Sequence, residues 1–158
     1  MFRAILVRPQ DHHLQSILWR NYPHESLHEY NLTTVTYGTR AAPFLAMRTL
    51  KQIGIDHASQ YPLAATALES SFYMDDYFGG SDSIQQTQRV QQELMEVLRR
   101  AGMNLRKWSS NVPQVIENLQ PEQINAPFEF KDTESRKTLG LRWVPSSDTF
   151  TFDTKIKP

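Results

Sequence analysis

The sequence predicts an α+β domain with a split βαβ (ferredoxin-like) core, in which an antiparallel sheet has helices on one face and further strands follow at the C-terminus. Three observations support this class. Extended, β-prone runs lie near both ends of the chain. Two segments between them repeat apolar residues at helical spacing, and an aromatic run containing two adjacent carboxylates lies between those segments. The resulting order of strand, helix, hairpin, helix and strand is typical of such a core.

Composition excludes several kinds of protein. The chain contains no cysteine, which excludes disulfides and zinc sites built on thiolates and favours an intracellular, cytoplasmic setting. The N-terminal apolar run, residues 4–7, is too short for a signal peptide or a membrane span, so we expect no membrane association. The formal net charge is zero, and no overall positive field therefore attracts nucleic acid.

The first part of the chain predicts three strands. Residues 2–7 form an apolar run, residues 14–20 follow a turn at Pro9, and residues 32–37 are rich in Thr and Val. Residues 21–29 are polar and contain a proline, so they predict a loop between the second and third strands.

Two helices are predicted before the acid pair. Gly38 breaks the chain, and Pro43 suits the first turn of a helix. Gly54 is expected just after the end of this helix. A second helix is expected over residues 61–69, which are rich in Ala and Leu. The apolar face of the first helix is expected to consist of Phe44, Met47, Leu50 and Ile53.

The segment from Phe72 to Phe78 predicts a β-hairpin that carries two acids. Aromatic residues on both sides favour extended backbone, and a glycine pair ends the run. A turn at Met74 and Asp75, or at their neighbours, places Asp75 and Asp76 at the tip. Two adjacent carboxylates repel each other, and Mg²⁺ held together with substrate phosphates offsets that repulsion. An Asp-Asp pair by itself is also typical of a solvated turn, so the neighbouring motifs decide between the two interpretations.

A long helix is predicted to begin at Ser83 and to end before Gly102. Ser83 and Gln86 fit a capping box, and Gly102 suits the left-handed position that follows many helices. The apolar face expected of this helix consists of Ile84, Val90, Leu94, Val97 and Leu98.

The C-terminal third predicts short elements. A strand is expected over residues 103–108 and a short helix over residues 113–119. Two further strands are expected over residues 139–144 and 149–152, on either side of a Pro-Ser-Ser-Asp turn.

In chain order, these segments resemble the palm of a reverse transcriptase, specifically the BEL/Pao group of LTR retrotransposons. The signature is Tyr73-Met74-Asp75-Asp76, which resembles the metal-binding hairpin of that family. The other similar segments are residues 2–9 with 15–20, residues 37–46, residues 101–111, and residues 139–140 at the position of a primer-grip hairpin. The resemblance therefore covers nearly the whole chain and implies a polymerase palm.

The resemblance implies RNA-directed DNA synthesis. Such enzymes join a deoxynucleoside triphosphate to a primer on an RNA or DNA template, using two Mg²⁺ ions, or Mn²⁺ in their place. It implies that Asp75 is the shared metal ligand and Asp76 the weaker, adjacent one. Tyr73 would lie near the primer terminus with Met74 beside it, and Lys107 would supply a cation near the leaving pyrophosphate.

Further roles follow from the same resemblance. Phe2 occupies the position of an aromatic residue that excludes the ribose 2′-hydroxyl, and Gly38 lets the backbone approach the nucleotide because it lacks a Cβ. Tyr37 lies in the nucleotide-binding motif, where many reverse transcriptases have Gln. Arg106 competes with Lys107 for the pyrophosphate role. Packing in an apolar strand is the alternative interpretation of Phe2, and an ordinary surface lysine is the alternative for Lys107.

The resemblance also implies a palm truncated at its N-terminus. We expect the palm over residues 1–110 and a connection toward the thumb over residues 111–158. The first catalytic Asp of the family belongs to a stretch that would precede Met1, and Asp11, which lies in the turn after the first strand, cannot replace it. We therefore expect this chain alone to be inactive or nearly so. Protease, ribonuclease H and integrase domains and a cytoplasmic virus-like particle are expected of the parent polyprotein.

Two other functions stay open. The main alternative is a non-catalytic transposon remnant, or a palm fragment that binds nucleic acid without catalysis. A metal-dependent phosphohydrolase that uses Asp75 and Asp76 is the third hypothesis. The coding sequence just upstream of Met1 would discriminate between a truncated polymerase and a remnant.

Overall fold

The protein is a mixed α+β chain, as predicted. The structure, a computed structural model, describes residues 1–124, 136–138 and 141–151. The described residues divide into two compact units, which are Met1–Gly80 with Val90–Asn104, and Ser81–Arg89 with the described residues from Leu105 to Thr151. No helix of the described ranges is long and apolar enough to cross a bilayer.

The described residues contain three α-helices and seven short strands in addition to 3₁₀ turns. The helices are α1 (Ala42–His57), α2 (Pro62–Ser70) and α3 (Ile84–Arg100). The strands are β1 (Ser16–Trp19), β2 (His28–Asn31), β3 (Phe72–Tyr73), β4 (Asp76–Tyr77), β5 (Arg136–Thr138), β6 (Leu141–Val144) and β7 (Thr149–Thr151).

The first unit begins with a short 3₁₀ helix, Phe2–Ala4, so the strand predicted over residues 2–7 is wrong in its first half. A single antiparallel bridge between Leu6 and Thr34 follows. Strand structure requires a hydrogen-bonding partner, and residues 33–35 supply one only for the second half of the predicted strand. Of the strand predicted over residues 32–37, only this bridge at Thr34 forms.

A two-stranded sheet comes next. β1 pairs with β2 in antiparallel register, which confirms the centre of the strand predicted over residues 14–20. A 3₁₀ helix, Pro9–Gln15, replaces its beginning. The predicted loop over residues 21–29 is shorter than expected because β2 already begins at His28. All residues of β1 and β2 are exposed, so this sheet contributes nothing to the core.

Both helices predicted before the acid pair are confirmed, and they pack against each other. The position expected for Gly54 is wrong, because α1 continues through it to His57. Gly54 is buried, and a Cβ there would lie 3.2 Å from the Cβ of Leu68 and 3.3 Å from the carbonyl oxygen of Ala65. Gly54 therefore allows α1 and α2 to approach closely, and it does not end α1.

α3 has the two ends that the sequence predicts. The Ser83 hydroxyl accepts a hydrogen bond from the N–H of Gln86 at 3.2 Å. At the other end Gly102 adopts a φ of +72°, and the N–H of Met103 donates to the carbonyl of Leu98 at 2.8 Å. This bond belongs to a Schellman motif, which closes the helix and turns Met103 inward to a buried position.

Apolar residues of the helices form the core of the first unit. Its largest fully buried side chains are Leu50, Leu94, Leu98 and Val97. The predicted apolar face of α3 is thus confirmed at three positions, whereas Val90 is half-buried and Ile84 is exposed. The helical core also contains Ile53 and Leu68 together with four alanines, Ala42, Ala46, Ala64 and Ala67.

The N-terminus of α2 is capped by a side chain from α3. One carboxylate oxygen of Glu93 accepts hydrogen bonds from the backbone N–H groups of Leu63 and Ala64, both at 3.0 Å. Pro62 at the start of α2 has no N–H to satisfy. A negative charge at a helix N-terminus also interacts favourably with the helix dipole. Glu93 therefore stabilises both α2 and its attachment to α3.

Replacing Glu93 should expose the strength of this cap. We expect Glu93→Ala to lower the free energy of unfolding by about 1–2 kcal/mol, because two helix N–H groups lose their acceptor. Glu93→Gln keeps an acceptor oxygen and should cost less. The control is Glu69→Ala, which removes an exposed ion pair with Lys51 (3.1 Å) and should cost less than about 0.5 kcal/mol. Urea unfolding followed by circular dichroism measures all three, and equal losses for Glu93→Ala and Glu69→Ala would contradict the cap.

The second unit contains a three-stranded antiparallel sheet in the order β5-β6-β7. β6 and β7 confirm the described parts of the two strands predicted over residues 139–144 and 149–152, whereas residues 139, 140 and 152 lie outside the described ranges. β5 was not predicted.

The segment after α3 forms neither of its predicted elements in full. The strand predicted over residues 103–108 is wrong, since only Trp108 forms a bridge, parallel to Ile124. Lys107 has a φ of +60°, which interrupts extended backbone. The helix predicted over residues 113–119 is reduced to one 3₁₀ turn, Pro113–Val115, followed by irregular turns.

The described strands form three separate sheets, β1-β2, β3-β4 and β5-β6-β7. The single antiparallel sheet expected of a split βαβ core is therefore not formed by the described residues. β3 and β4 contain two residues each and pair only with each other. The α+β class is confirmed, and its helices and acid hairpin follow one another in the predicted order.

Candidate metal-binding hairpin

β3 and β4 form the hairpin that the sequence predicts around the two acids. Tyr73 pairs with Asp76, so Met74 and Asp75 are the two turn residues. Met74 adopts a φ of +57°, which L-residues other than Asn and Asp seldom do. The side chains of Asp75 and Asp76 are both exposed, and Tyr73 is 53% exposed. The predicted hairpin with two adjacent exposed carboxylates is confirmed, but only Asp75 lies in the turn, since Asp76 is the first residue of β4.

Aromatic packing holds the base of the hairpin. The rings of Phe72 and Tyr77 lie 5.4 Å apart between centroids, tilted by 44°. The N–H of Phe78 donates to the carbonyl of Ser71 at 2.8 Å, which extends the pairing by one residue on each side. Burial raises the pKa of Tyr77, so its phenol stays neutral at physiological pH. The base is therefore apolar and uncharged, while the tip is acidic.

The ring of Tyr77 lies against Gly79, at the end of the hairpin. A Cβ at Gly79 would overlap the phenol end of Tyr77, whereas a Cβ at Gly80 would meet no atom within 4 Å. We expect Gly79→Ala to lower the free energy of unfolding by about 1 kcal/mol, because the ring must swing aside. Gly80→Ala, the same chemical change one residue later, should alter it by less than about 0.5 kcal/mol.

Two measurements check this pair of variants. Urea unfolding gives the stability difference, and ultraviolet titration of the tyrosines shows whether the pKa of Tyr77 in Gly79→Ala falls back toward its ordinary value as the ring becomes exposed. Stabilities and titrations that match in the two variants would contradict the observed position of the Tyr77 ring.

The turn is joined to α1 by a hydrogen bond. The N–H of Met74 donates to the sulfur of Met47 at 3.2 Å, across 27 positions of sequence. Met47 is half-buried on α1, five residues after the helix begins at Ala42. The structure therefore brings the acid turn into contact with the helix of the 37–46 segment, the second motif of the predicted site.

The loop before α1 has an open surface. Tyr37 is 64% exposed, and Gly38 has a φ of +85° with no atom within 4 Å of the position of a Cβ. Gly38 is therefore required by its left-handed backbone and is not required by contacts within the described chain. The Thr39 hydroxyl donates to the carbonyl of Thr36 at 2.8 Å and closes the turn that leads into α1. The backbone at Gly38 is thus accessible from solvent.

Other predicted site residues belong to other elements of the chain. Phe2 is half-buried in the N-terminal 3₁₀ helix of the first unit. Lys107 and its competitor Arg106 are exposed and belong to the second unit. The predicted primer-grip residues, Leu139 and Gly140, lie outside the described ranges.

The donor set of the hairpin fits a hard divalent cation. Mg²⁺ is commonly held by one or two carboxylates together with substrate phosphates and water, and Asp75 and Asp76 supply such a pair. Among the described residues, no group of three or more His, Cys, Asp or Glu side chains is arranged to hold a metal ion. Two carboxylates of this kind suit a cation that is shared with a bound phosphate.

Sequence reasoning missed two residues that shape this unit. Met47 was predicted only as part of the apolar face of α1, and Glu93 was not singled out. Each acts on a backbone N–H about 30 positions away, at spacings of 27 residues for Met47 and 29 and 30 for Glu93. The two partners of each contact lie in different segments of the sequence, so no local sequence pattern could have predicted the contacts.

Comparison with known proteins finds no match to a protein-family model, to a curated protein or to a solved structure.

Proposed function

We propose that this chain is the palm region of a reverse transcriptase of the BEL/Pao type, with RNA-directed DNA synthesis as the parent activity. One observation carries the proposal. A hairpin with two exposed carboxylates, Asp75 in its turn and Asp76 at the start of β4, is hydrogen-bonded through Met74 to α1, the helix that follows the loop of Tyr37 and Gly38. An ordinary solvated turn would account for the acid pair alone. It would not account for the contact between this turn and α1, the helix that begins within the similar segment 37–46.

In this proposal the hairpin provides the metal site. Asp75 and Asp76 hold Mg²⁺, which when bound supplies electrostatic stabilisation to in-line transfer of a nucleotide. Tyr73, exposed beside the turn, offers its ring to the primer terminus. Met74 fixes the direction of the acids through its backbone.

Residues outside the hairpin bind the substrate. The exposed Tyr37 contacts the incoming deoxynucleoside triphosphate, and the open side of Gly38 lets the triphosphate approach the backbone. Phe2 excludes the ribose 2′-hydroxyl. Lys107 offsets the charge of the leaving pyrophosphate, since a cation near a transferring phosphoryl group lowers the barrier.

The extent of the proposed palm is residues 1–110, with a connection toward the thumb over residues 111–158. The order of helix, acid hairpin and helix supports the proposed split βαβ palm, in which helices would cover one face of an antiparallel sheet. The partners are a primed RNA or DNA template and deoxynucleoside triphosphates, in an intracellular setting. Because the hairpin supplies two carboxylates and the family uses three, we expect primer extension by this chain alone to be close to background.

Binding of a fluorescent primer–template by the full chain tests the proposal. We expect affinity to fall steeply with salt, with a log–log slope of about −0.9 for each phosphate contacted. Mg²⁺ with the next complementary deoxynucleotide should tighten the complex in the wild type but not in Asp75→Asn. Asp82→Asn, the same change at an exposed aspartate outside the hairpin, should behave as wild type. Salt-dependent binding that ignores Mg²⁺ and nucleotide would indicate a non-catalytic nucleic-acid binder, and no binding would indicate an inert remnant.

A further inference from the structure

We propose that Met47 is the positioning residue of the acid turn. Its sulfur fixes the backbone of Met74, and through it the direction of the Asp75 and Asp76 carboxylates. This role rests on the metal site proposed above, and it adds a residue that the resemblance to polymerases does not supply.

The turn needs support from outside the hairpin. β3 and β4 pair over only two residues each, and an isolated hairpin of this size is marginal in water. The left-handed backbone of Met74 is itself unfavourable for a residue with a Cβ. Backbone pairing holds the base of the hairpin, and the bond from Met74 to Met47 adds a constraint on the turn itself from a larger element.

α1 is a rigid scaffold for that constraint. Ala46 and Leu50, on either side of Met47, are 0% and 1% exposed, so the helix backbone beside the sulfur is anchored in the core. The same helix follows directly from the loop of Tyr37 and Gly38. One rigid element thus determines the positions of the proposed nucleotide loop and of the acid turn together.

The test compares two methionines. Met47→Leu keeps an apolar side chain of similar volume and high helix propensity but removes the sulfur acceptor. Met95→Leu makes the same change on α3, where Met95 is half-buried and has no hydrogen bond to the hairpin within the described residues. The first measurement is hydrogen exchange of the Met74 amide in the full chain by NMR, with the Phe78 amide, which bonds to Ser71, as internal reference.

We expect Met47→Leu to speed exchange of the Met74 amide by about two- to threefold, because a thioether sulfur is a weak acceptor, and to leave the Phe78 amide unchanged. The second measurement is Mn²⁺ affinity by electron paramagnetic resonance. We expect this affinity to weaken about three- to tenfold in Met47→Leu, because the carboxylates lose their fixed arrangement. The effect is smaller than that of losing a ligand. Met95→Leu should match wild type in both measurements.

Each other outcome overturns the proposal at a defined step. Unchanged exchange in Met47→Leu would show that the sulfur does not hold the turn. Faster exchange with unchanged Mn²⁺ affinity would show that it holds the turn without positioning the acids. A wild-type chain that binds no Mn²⁺ would refute the proposed metal site itself, and with it the positioning role, while the exchange result would still report whether the Met47 contact exists.

Discussion

Asp75→Asn is expected to weaken Mn²⁺ binding to the full chain by at least about tenfold. Changes at groups hydrogen-bonded directly to metal ligands already cost about 10–100-fold, and loss of a ligand itself should cost no less. The loss is expected because the exposed carboxylates of Asp75 and Asp76 are the proposed ligands of the ion. Mn²⁺ titration followed by electron paramagnetic resonance measures the affinity directly.

The matched variants make this prediction specific. Asp76→Asn should weaken binding by a smaller factor, since Asp76 belongs to β4 and is assigned as the weaker ligand. Asp82→Asn removes the same charge from an exposed position outside the hairpin. An equal loss in Asp75→Asn and Asp82→Asn would show that Mn²⁺ responds to overall charge and does not bind at the turn.

Leu94→Ala is expected to cost about 2–5 kcal/mol of unfolding free energy, the range for removing a fully buried leucine side chain. Leu94 is 0% exposed and lies in the centre of the buried face of α3. A typical domain has only about 5–15 kcal/mol in total, so this single change should remove much of the stability of the first unit. Urea unfolding monitored by circular dichroism at the helix band gives the loss.

An exposed leucine on a neighbouring helix is the control for that prediction. Leu45 on α1 is 39% exposed, and Leu45→Ala should cost about 1 kcal/mol, less than Leu94→Ala, because less apolar area is exposed to water and no internal cavity forms. Similar losses for Leu94→Ala and Leu45→Ala would mean that the three helices do not share the core described above.

Local patterns predicted the elements whose stability is local. The ends of α3 followed from Ser83 and Gly102, because a capping hydroxyl and a left-handed glycine act within one turn of the helix. The acid hairpin followed from its aromatic flanks and short turn. In each case the residues that cause the structure are neighbours in the sequence.

Features that depend on distant partners were not predictable. The run at residues 2–7 has strand composition, but only its second half finds a partner near Thr34. Gly54 looks like a helix end in sequence, and only the approach of Leu68 explains why it lies inside α1. The bond that joins Met47 to the turn crosses two elements, so the candidate site was predictable as a pair of motifs and not as a connected structure.

Iron-mediated cleavage of the full chain tests the proposed metal hairpin most directly. Iron(II), bound in place of Mg²⁺ and supplied with ascorbate and peroxide, generates hydroxyl radicals that cut the backbone close to the metal, and mass spectrometry locates the cuts. We expect cuts at residues 73–77 and around Met47, which contacts the turn, and we expect both to disappear in Asp75→Asn. Cuts centred on other residues such as His12 and His13, or a pattern that Asp75→Asn leaves unchanged, would contradict a metal site at the turn.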